Sequence, residues 1–187
     1  MRDLRAALAL AEREHLLIRA ARGYADPVVP IPDKLQALRA AVGVLVAAGA
    51  PHALIGGLAV GIRAGVPRAT LDVDIAVATT IDRAVLVERL EAAGFEFVGR
   101  FPHSINFKHP TGEPLQLAWD PQFDAMIARA EPVPMDDFVI AVVTKSDLIT
   151  MKRRAAADPA RRRSKALRDQ ADVALLEGDV PEPSEGW

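Results

Sequence analysis

The sequence predicts an α/β or α+β sheet domain with helical flanks. Three observations carry that prediction. Segments with apolar residues at helical spacing alternate with short apolar or alternating runs; a Pro110-Thr111-Gly112-Glu113 turn joins two alternating arms; and glycines and prolines punctuate most boundaries. The 187 residues suffice for one domain with a full core, and the absence of cysteine excludes disulfides, thiolate metal sites and thiol nucleophiles. Half of the residues are hydrophobic, which argues against disorder, and a formal net charge of −2 gives no bulk attraction to polyanions or membranes.

Residues 3–21 are expected to form an amphipathic helix, with Leu4, Leu8, Leu16, Leu17 and Ile18 apolar and Arg5, Glu12, Arg13 and Arg19 outward. Its charges fit no targeting signal, so a cytoplasmic protein is expected. Pro27, Pro30 and Pro32 make an extended connector, after which Asp33 caps a helix built on Leu35, Leu38, Val42, Leu45 and Val46. Gly49 and Pro51 stop it. The uncharged stretch from Arg39 to Arg63 could cross a bilayer by length alone, but Pro51-His52 interrupts it and its apolar content is mostly Ala and Gly, so no membrane span is expected. Ala53-Leu54-Ile55 reads as a buried strand ending at Gly56-Gly57, followed by a helix to Gly65.

In Leu71–Val77, alternation puts Leu71, Val73, Ile75 and Val77 on one face and Asp72 and Asp74 on the other. A helix over about 81–93 ends at Gly94, and Phe95–Val98 is a further strand. Ile105 and Phe107 on one arm, and Leu115, Leu117 and Trp119 on the other, predict a hairpin whose second arm shows Gln116, Ala118 and Asp120 on its polar side. Gln122–Arg129 suits a short helix and Phe138–Val143 a β-branched strand. Ser146 can cap a helix to Ala157, Asp158-Pro159 breaks it, and a last helix reaches Leu176. The expected organisation is an N-terminal helix and connector (1–32), a core (33–143), a basic helical extension (144–178) and a frayed tail (179–187).

Two carboxylates on one face of a strand repel each other unless a cation lies between them, and a divalent metal is the simplest partner. Just upstream, Gly56-Gly57 sets backbone N–H groups at a strand-to-helix turn, where a phosphate chain can be held. Arg68 lies between and can neutralise phosphate charge. Singly, these parts are ordinary, since Gly-Gly is most often a turn and Arg beside Asp a surface pair. Together they suit Mg²⁺-assisted phosphoryl or nucleotidyl transfer. No metal-ligand spacing joins His15, His52, His103 and His109, and Ser104 and Ser146 lack the setting of a hydrolase nucleophile.

The stretch Gly56-Gly57-Leu-Ala-Val-Gly-Ile-Arg-Ala-Gly-Val-Pro-Arg68-Ala-Thr70-Leu-Asp72-Val-Asp74-Ile75 resembles the signature of the DNA polymerase β-like nucleotidyltransferase superfamily. Its Arg-x-Thr-x-Asp-hydrophobic-Asp version looks most like small bacterial nucleotidyltransferases, including the AbiEii-type toxins of toxin–antitoxin systems. Ser146-Asp147-Leu148-Ile149, Met151-Lys152, Arg161–Arg163, Lys165, Asp169 and Asp172 are similar to that group's C-terminal pattern. The resemblance implies a nucleotidyltransferase fold with a mixed twisted sheet and a helical C-terminal extension. It implies Mg²⁺ on Asp72 and Asp74, with a two-metal site open, an NTP substrate against Gly56 and Gly57, and phosphates steadied by Arg68, Lys152 and Lys165, with Thr70 supporting the loop. The family's third carboxylate, which assists the attacking hydroxyl, falls where this chain reads Leu115-Gln116-Leu117. Gln offers a neutral oxygen and cannot take a proton. Asp120, on the same face, could substitute if the strand extends that far; otherwise the chain binds nucleotide, or a partner such as a cognate antitoxin, without transferring NMP.

From Lys152 to Asp169 there are eight cations (Lys152, Arg153, Arg154, Arg161, Arg162, Arg163, Lys165, Arg168) against Asp158 and Asp169. Such a cluster is either a solvated, ion-paired helix face or a footprint for a polyanion. Beside a nucleotidyltransferase site it favours an RNA acceptor such as tRNA, or the triphosphate tail.

Overall fold

A computed structural model describes residues 33–135 and 137–180. The helix expected over 3–21, its connector and positions 181–187 lie outside the described residues. The chain runs α1 (Lys34–Ala47), β1 (His52–Leu54), α2 (Gly56–Ala64), β2 (Val73–Val77), α3 (Arg83–Ala92), β3 (Glu96–Phe101), β4 (Ser104–Lys108) and β5 (Pro114–Ala118). It continues through a 3₁₀ turn (Pro121–Phe123), α4 (Asp124–Ala128), β6 (Glu131–Pro134), β7 (Val139–Val142), α5 (Lys145–Ala157) and α6 (Arg163–Glu177). One mixed sheet holds the strands in the order β3-β4-β5-β2-β1-β7-β6. Its parallel pairs are β2 with β5 and β1 with β7. This is the mixed α/β architecture the sequence predicts.

Local chemistry explains most boundaries. Asp33 caps α1 through Oδ1, which accepts from the Gln36 amide at 2.8 Å. Beneath α1, the buried Lys34 Nζ meets Glu113 Oε2 at 2.5 Å and ties the helix to the turn before β5. β2 is shorter than its alternation suggests. Leu71 is 50% exposed and Asp72 lies in the bend before the strand, so the pattern holds only from Val73 onward. Thr144, not Ser146, caps α5: its Oγ1 accepts from the Asp147 amide at 3.2 Å. The β4–β5 hairpin forms as expected. Strand β6 has no counterpart in the sequence reading, because Pro132 and Pro134 argue against a strand; β6 is an edge, where missing N–H donors are tolerated.

Val73 and Ile75 of β2, Ile105 and Phe107 of β4 and Leu115 and Leu117 of β5 are buried with Leu38 and Leu45 of α1 and Leu86 and Leu90 of α3 in one core. Helices α5 and α6 pack against each other and against α2, and Leu148 and Leu176 join the same core. Alternation therefore turns Asp74, Gln116 and Asn106 to the opposite side of the sheet.

Candidate active site

Asp72 and Asp74 are set in place by different devices. Asp74 stands between the fully buried Val73 and Ile75, which fixes its direction. Asp72, in the bend, accepts a hydrogen bond from Thr70 Oγ1 at 3.2 Å. Gly56 lies directly against Asp74. A Cβ at Gly56 would come within 2.0 Å of Asp74 Oδ2, and its φ of +68° is already unfavourable for a side chain. A Cβ at Gly57 would meet Thr70 Cβ at 2.7 Å and Arg68 Nη1 at 2.9 Å. The two glycines thus bring the start of α2 flush against Asp74 and the loop that carries Arg68 and Thr70. Ile55 at the N-cap supplies no side-chain hydrogen bond, so the first amides of α2 carry no capping side chain.

The electrostatics match that geometry. Burial, and then the neighbouring Asp72 charge, push the Asp74 carboxyl up to about 7, although Lys152, Arg68 and Lys165 pull it down. Two like charges held this closely call for a compensating cation. The donors are all carboxylate oxygens, which suit a hard divalent ion such as Mg²⁺. Among the described residues no group of three His, Cys, Asp or Glu side chains forms a metal cage. A bound ion would complete its shell with water or phosphate oxygens.

The cations are arranged differently from the sequence expectation. Arg68 forks onto Asp172, Nε to Oδ1 at 2.8 Å and Nη2 to Oδ2 at 3.1 Å. Lys152 Nζ sits 2.9 Å from Asp169 Oδ1 and 2.8 Å from Asp172 Oδ2, and Arg161 Nε is 2.6 Å from Asp169 Oδ2. Asp169 and Asp172, each 2% exposed on α6, therefore bind three cations and latch α6 to α5 and to the loop before β2. Arg68 and Lys152 reach Asp74 only through the field of their charges. Within the basic cluster, Arg153 pairs with Glu177 and Arg154 with Gln122 Oε1. Arg162, Arg163, Lys165 and Arg168 are exposed around the start of α6, and Lys165 is near enough to act on Asp74.

Gln116 is the register partner of Asp74 across β2 and β5, and Asn106 is the partner of Gln116 across β4 and β5. A row of one carboxylate and two neutral amides results. The sequence reading missed Asn106, although the alternation Ser104-Ile105-Asn106-Phe107 places it there once the hairpin register is known. Asp120 does not join the row. β5 ends at Ala118, and Asp120 lies four residues past Gln116, about 13 Å at strand rise. Its Oδ1 accepts from the Gln122 amide at 3.0 Å and its Oδ2 is 3.0 Å from His103 Nδ1. The expected substitute for the third carboxylate is therefore not delivered to the site. His109, buried beneath the hairpin turn, bonds to Thr111 Oγ1 at 2.8 Å.

The structure is similar to the lincomycin-bound crystal structure of the lincosamide antibiotic adenylyltransferase LnuA, with a TM-score of 0.54 and 17% identity over 76% of this chain and 96% of that one. The fold is the nucleotidyltransferase fold. It is shared with ANT(2")-Ia in complex with adenylyl-2"-tobramycin, at a TM-score of 0.54 and 15% identity over 78% of this chain and 90% of that one. An antigenic nucleotidyltransferase-like protein from Paracoccidioides brasiliensis matches at 0.51 and 20% identity, over 79% and 78%. No family model and no curated protein matches the sequence. In this nucleotidyltransferase fold Asp74, Gln116 and Asn106 form one row across β2, β5 and β4, with Gly56 against Asp74 and Asp72 in the bend before β2. Among the described residues no helix is long and apolar enough to cross a membrane.

Proposed function

We propose that the chain is a divalent-metal-dependent nucleotidyltransferase that moves an NMP from an NTP to an acceptor oxygen. One observation carries this reading: the Asp74 carboxyl, pushed up to about 7 by burial and by the neighbouring Asp72 charge, lies flush against the glycine start of a helix without a side-chain cap. Asp72 and Asp74 hold the cation, and the amides at Gly56 and Gly57 receive phosphate oxygens. Mg²⁺ bound there supplies charge screening of the triphosphate and of the leaving pyrophosphate. Thr70 keeps Asp72 aimed. The latch of Arg68 and Lys152 on Asp172 and Asp169 keeps positive charge near the site without spending it on the ligand. Lys165 extends that positive field outward toward a triphosphate tail.

An RNA acceptor such as tRNA is supported by the exposed Arg162, Arg163, Lys165 and Arg168. A protein acceptor, and a role opposite a cognate antitoxin, rest on the resemblance of the Arg68–Asp74 motif alone. A polycationic antibiotic acceptor is less well matched, because the row beside Asp74 carries amides in place of acids. Gln116 favours a second reading, a chain that binds nucleotide or a partner and transfers nothing.

Incubation of the full chain with Mg²⁺, NTPs labelled at the α-phosphate and total cellular RNA and protein tests the first reading. Pyrophosphate release and label transfer are expected from the wild type and lost in Asp72→Asn and Asp74→Asn. Unchanged activity in both variants would overturn the site.

A further inference from the structure

The backbone that carries Asp72 is held differently from the backbone that carries Asp74. Strand β2 begins at Val73, so the Leu71–Asp72 peptide lies in the bend before it, outside the ladder. The Leu71 side chain is 50% exposed, so its burial does not fix that bend. Thr70 Oγ1, at 3.2 Å from Asp72 Oδ1, sets the carboxylate but not the peptide behind it.

The neighbouring strand explains why the ladder stops. β2 and β5 run parallel, with Val73 beside Leu115 and Asp74 beside Gln116; carried back two residues, that register sets Leu71 beside Glu113 and Asp72 beside Pro114. Asp74 O accepts from the Ile55 amide at 3.0 Å and so turns toward β1. Carbonyls alternate in direction along a strand, so those of Val73 and Leu71 turn toward β5. The ladder donor for Leu71 O would be the amide of residue 114, and proline has none. Lys34 Nζ stands in that place, 3.3 Å from Leu71 O. The same ammonium meets Glu113 Oε2 at 2.5 Å, and both side chains are fully buried.

Resting on the reading of Asp72 as a metal ligand, we infer that Lys34 is a positioning residue for the metal site: its ammonium, anchored by Glu113, replaces the amide that Pro114 lacks and holds the Leu71–Asp72 peptide. That peptide is planar, so fixing the Leu71 carbonyl also fixes the Asp72 nitrogen and the direction in which its side chain leaves. Thr70 then aims the carboxylate, and Lys34 fixes the backbone that carries it. The first residue of α1 thereby serves the cation without touching it.

Calorimetric titration of the full chain with Mg²⁺ in the presence of a non-hydrolysable NTP analogue tests this. Lys34→Met/Glu113→Gln removes both charges together, which a buried pair tolerates better than the loss of one partner. Mg²⁺ affinity should fall about tenfold, at the lower end of what losing a ligand's supporting partner costs. Adding Pro114→Ala to that double variant supplies the missing amide and should recover most of the loss, which a merely structural role would not do. Asp33→Ala, which removes the cap of the same helix and leaves Lys34 in place, should keep the affinity within about twofold while lowering the unfolding temperature. Wild-type affinity in the double variant, or an equal loss in Asp33→Ala, overturns the inference and leaves the metal site standing. Undiminished Mg²⁺ binding in Asp72→Asn overturns the metal reading and the inference with it. If the double variant does not fold, NMR of the wild type decides: Mg²⁺ should shift the Lys34 Nζ and Leu71 carbonyl resonances, and resonances that stay in place overturn the inference.

Discussion

Replacing Asp74 with Asn should make the metal-free protein more stable. The Asp74 carboxyl sits at about 7, with burial the largest cause and Asp72 the next, against about 3.9 for Asp in an unfolded chain. Because the folded-state value is the higher one, the folded protein binds this proton more tightly than the unfolded chain does. The cost of ionising Asp74 is therefore absent below about pH 4, grows through the window between the two values, and is complete above about pH 7. Roughly three decades at about 1.4 kcal/mol each put it on the order of 4 kcal/mol at pH 8, or roughly 10 °C in Tm for a chain of this size. Asn keeps the shape against Gly56 and removes the charge. Mg²⁺ should do the reverse, raising the Tm of the wild type and leaving that of Asp74→Asn in place. Thermal unfolding of both proteins from pH 4 to 9, in EDTA and in Mg²⁺, reads all of this. Equal stabilities at pH 8 in EDTA, or a difference that does not widen with pH, would refute the argument.

Asp172→Asn weakens the shared anchor of Arg68 and Lys152 and should cost about 3 kcal/mol in urea unfolding, the range for breaking a buried pair. Lys152→Ala should lose a similar amount, since its ammonium meets both buried aspartates. By contrast, Lys165→Ala should leave the urea midpoint unchanged and weaken NTP binding by on the order of fivefold, about 1 kcal/mol for one solvated charge near a phosphate, as read by calorimetry. Asp120→Ala should lower stability by about 1 kcal/mol through the lost cap and leave NMP transfer at its wild-type rate; a collapse of transfer would return Asp120 to the chemistry.

The parts of the site that depend on local sequence were legible and those that depend on tertiary partners were not. Gly56-Gly57 and Asp72-x-Asp74 announce themselves because a strand-to-helix turn and two carboxylates two positions apart need only near neighbours. Alternation does not say where a strand begins, so Leu71 fits the pattern yet stands outside β2, and Ser146 carries the same hydroxyl as the cap Thr144, two residues before it. Pro132 and Pro134 hid β6, since the sequence does not show which strand will be an edge. The sequence also counts Arg68, Lys152 and Arg161 as cations without saying what they face. Asp169 and Asp172, three apart on one face of α6, were the available signal that these charges have internal partners. Gln116 was visible, and its meaning changed when the register set Asn106 beside it and left Asp120 beyond the end of β5.

The central claim is that Asp72 and Asp74 hold a divalent cation that receives the triphosphate of an NTP. Calorimetric titration of the full chain with a non-hydrolysable NTP analogue, in Mg²⁺ and in EDTA, tests it most directly. Binding should require Mg²⁺ in the wild type and disappear in Asp72→Asn; binding of equal strength in EDTA, or undiminished binding to that variant, would contradict the account.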